Sequence, residues 1–77
     1  MDAIELRHQA ILAHQAGALE QALLLFTHSI QLTPPSRPHY AGKLLRERAD
    51  CYWDLGCKED ACSDMKRALE LFPGIRV

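Results

Sequence analysis

Four histidines, three cysteines and a single tryptophan are the residues in this 77-residue chain whose side chains could carry more than packing. His8, His14, His28 and His39 are scattered over three predicted helical segments. His8 and His14 stand six apart, a spacing that does not share a helical face, so surface positions explain them better than a metal site. Cys51, Cys57 and Cys62 are odd in number and lack C-x-x-C spacing, which reads as reduced thiols in a cytoplasmic protein. No nucleophile stands at a recognisable distance from a base, and neither a glycine-rich phosphate loop nor H-E-x-x-H is present. Catalysis, a bound metal and a cofactor are therefore not expected. The remaining chemistry is recognition. Trp53 falls at helical spacing among Arg46, Glu47, Asp50 and Asp54, and an aromatic ring on a charged face is either a binding anchor or a seat for a following helix.

The elements that must position Trp53 are two helices with a break at Gly56. Leu45, Ala49, Tyr52 and Leu55 form one stripe on the first of them. Ala61, Met65, Ala68, Leu69 and Leu71 repeat the three-and-four spacing of a half-buried second helix. Pro73-Gly74 stops the chain, since proline cannot continue a helix. Ala49 and Ala61 sit where the two axes would cross, so a larger residue at Ala61, or at its earlier counterpart Ala22, is expected to disrupt folding.

The same grammar occurs earlier, from Leu6 to Pro34. Ala10 matches Ala49, Gly17 matches Gly56, Ala22 matches Ala61 and Phe26 matches Met65. Ile30 matches Leu69, Leu32 matches Leu71 and Pro34 matches Pro73, all at the 39-residue offset that separates Ala22 from Ala61. Seven matches at one offset make an internal repeat.

A small residue, a glycine, a small residue, a large apolar residue and then A-L-E-L-x-P is similar to the tetratricopeptide repeat. The family's period is about 34 residues, so this pair is stretched by about five. The extra residues lie within 33–40. The first copy departs most, with Ala13 where the family prefers tyrosine and Ser29 where it prefers alanine. The resemblance implies an all-α fold of two antiparallel helix-turn-helix pairs in a short right-handed α-solenoid. It makes residues 1–77 a single domain, with repeats at about 3–36 and 42–75. It also implies a concave groove, lined by the first helix of each pair, that holds an extended peptide or a partner helix. Carried onto this sequence, the groove face is Arg7, His8, Ile11, His14 and Gln15, then Lys43, Arg46, Glu47, Asp50, Trp53 and Asp54. Periodicity supports the second set independently, because it lies opposite Leu45, Ala49 and Tyr52.

Arg48-Ala49-Asp50-Cys51-Tyr52 resembles a segment of chaperone-adaptor repeats, which grip an acidic C-terminal carboxylate with a lysine and asparagines. The matching positions here are Arg7, Ile11 and Glu47. Arg7 can replace lysine, whereas Ile11 cannot donate a hydrogen bond and Glu47 repels a carboxylate.

Chain order supplies the remaining expectations. Asp2 and Glu5 form a helix start, which places the native start, and the module, at the N-terminus of its protein. Helices are expected to about Gln15, from about Ala18 to Leu32, from Pro38 to Leu55 with Ser36 as a cap, and from Lys58 to Phe72. Leu25 belongs at the core margin. Leu24 is an exposed leucine or part of a second contact surface. Ile75-Arg76-Val77 is a frayed tail or the beginning of further sequence.

A net charge of −1 argues against nucleic acid or a membrane surface as partner. No secretory signal and no apolar run of membrane-spanning length is visible. The expected function is a non-catalytic protein-interaction module that binds a peptide or partner helix. The alternative is homo-dimerisation through the open end of the stack, carried by Met65, Leu69 and Phe72.

Overall fold

In the computed structural model, which describes residues 1–74, four helices follow one another: α1 (Ala3–Gln15), α2 (Leu19–Leu32), α3 (Pro38–Asp54) and α4 (Lys58–Leu71). The expected tail at 75–77 lies outside the described residues. α1 begins as its sequence demands, with the Asp2 carboxylate accepting from the Glu5 backbone N–H at 2.8 Å.

Two helix ends are closed in the same way. Gly17 (φ 81°) and Gly56 (φ 84°) adopt the left-handed conformation that a side chain disfavours. Around them Ala18 N–H reaches Ala13 O at 2.9 Å and Cys57 N–H reaches Tyr52 O at 2.8 Å, the six-to-one bond of a Schellman turn. The inserted stretch makes no floppy loop, because Arg37 N–H bonds Pro34 O and Pro38 opens α3. Ser36 is not the cap. Arg37 holds that position without a side-chain hydrogen bond, and proline at the first position needs none for its absent N–H.

α1 pairs with α2, and α3 lies against both α2 and α4. The core between the pairs is Ala10, Ala22, Phe26, Leu44 and Cys51, with Ile11, Leu23, Leu25 and Ile30 packed against its edge. Leu24 is exposed. On its other side α3 presents Gly42, Leu45 and Ala49, all buried. Gly42 marks the closest approach, since a Cβ there would stand 2.9 Å from Phe72 Cβ and 3.1 Å from Ala68 O. Ser29 is fully buried, and its hydroxyl donates to Ala3 O at 2.6 Å. A hydroxyl in an alanine-sized site thereby ties the end of α2 to the start of α1.

The second pair buries less than the first. Phe26 is 1% exposed, whereas its counterpart Met65 is only half-buried. Ile30 packs on the core, whereas Leu69, expected on the buried stripe, is 40% exposed. The reason is position in the stack: α3 covers α2, and nothing among the described residues covers the far side of α4.

Candidate functional site

Two side-chain rungs join α1 and α3. The Arg7 guanidinium donates to both carboxylate oxygens of Glu47, Nε at 2.7 Å and Nη2 at 2.6 Å. The Glu47 carboxylate holds the Arg7 pKa above its ordinary value, against the opposing effect of burial. Two helical turns further on, His14 Nε2 lies 2.6 Å from Asp54 Oδ2. Four of the residues expected on the groove are thus brought together as pairs, and the charges of Arg7 and Glu47 offset each other.

The others are placed as follows. His8, Gln15, Lys43 and Asp50 are exposed. Ile11 is only partly accessible, because it packs on the core edge. Arg46 is half-buried, and its Nε is buried with no hydrogen-bond partner. Trp53 is 57% exposed, with the Lys58 ammonium 5.4 Å from the centre of its ring. The indole stands at the rim of a concavity of about 320 Å³ lined by Ala49, Asp50, Trp53, Ala61, Cys62 and Met65. Trp53 and Met65, expected to serve different surfaces, therefore share one. Phe72 does not join them in the open, since it stacks on His39 at 4.7 Å and closes over Gly42.

Sequence reasoning missed the residues that lock the two pairs together. Arg48 makes a bidentate pair with Asp64, Nε at 2.7 Å and Nη2 at 2.8 Å, while Nη1 reaches Thr27 Oγ1 at 3.1 Å. Asp64 holds the Arg48 pKa above its ordinary value, and the guanidinium lies 5.6 Å from the Tyr52 ring centre. One side chain thus ties α3 to α2 and to α4. The signal was present: Asp64 falls between Ala61 and Ala68 on the apolar stripe of α4, and a carboxylate at a core position demands a cation. Leu44 and Cys51, both fully buried, share a second apolar stripe of α3 that faces α2, with Cys51 Sγ 3.3 Å from Leu19 O.

The three cysteines are free thiols. No group of three or more metal-ligating side chains is found among the described residues. No helix among them is long and apolar enough to cross a membrane. The geometry offers a surface with an aromatic rim, an adjoining concavity and a few unpaired charges. Residues 42–75 match the family model of the tetratricopeptide repeat. No curated protein and no solved structure matches the chain.

Proposed function

Because residues 42–75 match the family model of the tetratricopeptide repeat, the unit of a family of protein-interaction modules, we propose that this chain captures a protein partner on the concave face of α1 and α3, with Trp53 as the anchor. The observation that carries this reading is the exposure of the indole at the lip of the 320 Å³ concavity. An aromatic ring that loses water on one side and meets an apolar hollow on the other is the kind of group that concentrates binding energy. His8, Lys43, Arg46 and Asp50 supply polar selectivity around it. The pairs Arg7–Glu47 and His14–Asp54 join α1 to α3, and Arg7 and Glu47 offset each other's charge. The module works without catalysis, cofactor or metal, in the cytoplasm, on a peptide or helix rather than on nucleic acid or a membrane.

Affinity capture with the wild-type chain and with Trp53→Ala tests this. Truncation of the indole is expected to weaken capture about 30-fold or more, the equivalent of about 2 kcal/mol, with helical content unchanged. Equal capture by both proteins would remove the anchor. A second reading, pairing of two copies through the open end, is favoured by the half-buried Met65 and the 40% exposed Leu69. Sedimentation over a wide concentration range separates the two, and a concentration-independent monomer supports capture of a different protein.

A further inference from the structure

Lys58 opens α4, which is the unfavourable end of a helix for a cation. The first turn carries free backbone N–H groups and the positive end of the helix dipole, which suit Glu59 and Asp60 and oppose an ammonium. Cys57, the residue before it, offers no side-chain cap. Among the described residues Lys58 makes no ion pair, although Glu59 and Asp60 follow it directly. Its ammonium lies over the Trp53 ring instead, 5.4 Å from the centre. A residue that breaks a local rule without a local gain directs attention to a gain elsewhere.

The turn between α3 and α4 delivers that contact. Gly56 N–H bonds Trp53 O at 3.0 Å, Cys57 N–H bonds Tyr52 O at 2.8 Å, and Gly56 in its left-handed conformation returns the chain towards the indole. The 39-residue counterpart of Trp53 is His14, which stands before the same kind of turn at Gly17. His14 is fixed from another helix by Asp54 at 2.6 Å. On Trp53 the fixing group is Lys58. The lysine does so without filling the hollow, because it is absent from the lining that Trp53 shares with Asp50, Cys62 and Met65. An indole 57% exposed and unsupported would exchange among its rotamers, whereas a cation on one face of the ring favours a single orientation. An anchor already held in its binding orientation loses less freedom on association. We propose that Lys58 is a positioning residue, whose cation–π contact holds the Trp53 indole against the concavity before a partner arrives. The inference rests on the reading of Trp53 as the anchor and adds what orients it.

Trp53 is the single tryptophan, so indole spectroscopy of the intact chain without any partner reports it alone. Proton NMR is expected to show the Lys58 ε-methylene signals moved upfield by the ring current of the indole, and moved back in Trp53→Leu. Time-resolved fluorescence anisotropy should show a fast component about twofold larger in Lys58→Met, which keeps the length of the side chain and loses its charge. Lys58→Arg, which keeps the cation, should behave as the wild type does. Circular dichroism checks the fold of every variant. In the affinity experiment above, capture by Lys58→Met should weaken about threefold or more and return with Lys58→Arg. Unshifted Lys58 methylene signals, or equal indole motion in Lys58→Met, would overturn the assignment and leave Trp53 standing as the anchor. Weaker capture by Lys58→Met with indole motion unchanged would also overturn it, by making Lys58 a direct contact of the partner. Capture indifferent to Trp53→Ala, with the methylene shift intact, would remove the anchor itself and with it the role of Lys58.

Discussion

Cys51 is the buried one of the three cysteines. Its thiol is fully buried between α2 and α3, and burial raises its pKa, with the nearby Asp54 carboxylate adding to the effect. Cys57 and Cys62 are exposed. Alkylation followed by mass spectrometry is expected to show two thiols reacting at once and the third only at the rate of unfolding. The sign of the pH effect follows. The folded state holds the Cys51 proton to higher pH than the unfolded chain does, so this contribution is complete below the unfolded pKa. It is lost as pH rises through the folded one. Stability should therefore decline in the alkaline range, and less steeply in Cys51→Ala. A second prediction belongs to Glu47. Its two hydrogen bonds occupy the Arg7 guanidinium that an acidic tail peptide would need. Calorimetry with such a peptide is expected to show no micromolar binding to the wild-type chain and measurable binding to Glu47→Asn. Adding Ile11→Asn supplies the missing donor but removes an apolar group that packs on the core, so the single variant is the cleaner test. Tight binding by the wild-type chain would show that Arg7 is freer than its geometry indicates.

Among the elements, α2 and α3 carry the architecture, because each packs against two neighbours while α1 and α4 each pack closely against one. That asymmetry revises the expectation for the two crossing alanines. Ala22 is fully buried beneath α3, whereas Ala61 borders an open concavity. Ala22→Leu should cost about 1–3 kcal/mol through overpacking, a large share of the roughly 5 kcal/mol available to a small domain. Ala61→Leu has room to turn into the hollow and should cost less, while obstructing the partner surface. Urea unfolding compares them directly, and equal losses would contradict the open end. The sequence showed the four helices to within a residue or so at their ends, because apolar spacing, Gly17, Gly56 and the prolines are local signals. It showed the charged face of α3 for the same reason. It could not show that Arg7 and Glu47 meet, since that depends on how two helices 40 residues apart lie together. Leu44 and Cys51 escaped notice because a helix with two buried stripes does not show the single stripe that periodicity detects. Arg48 escaped with them. A half-buried arginine looks like a surface one until its carboxylate is found.

At the scale of the whole molecule, two stacked pairs cover one face of the stack and, among the described residues, leave the far side of α4 uncovered. The Arg7–Glu47 and His14–Asp54 rungs complete the junction between the pairs, and the Arg48–Asp64 pair fastens α4 to it. Trp53 and Met65 border the 320 Å³ concavity between α3 and α4. In the proposed function, recognition lies on that edge and along the concave face, and the convex side around Leu24 takes no part in it. Amide chemical-shift mapping of the isotope-labelled chain, titrated with a protein it has captured, tests this most directly. The largest changes are predicted at His8, Lys43, Arg46, Asp50 and the Trp53 indole N–H, with α2 around Leu24 undisturbed. Changes confined to Leu24 and its neighbours, with the Trp53 indole signal unmoved, would contradict it.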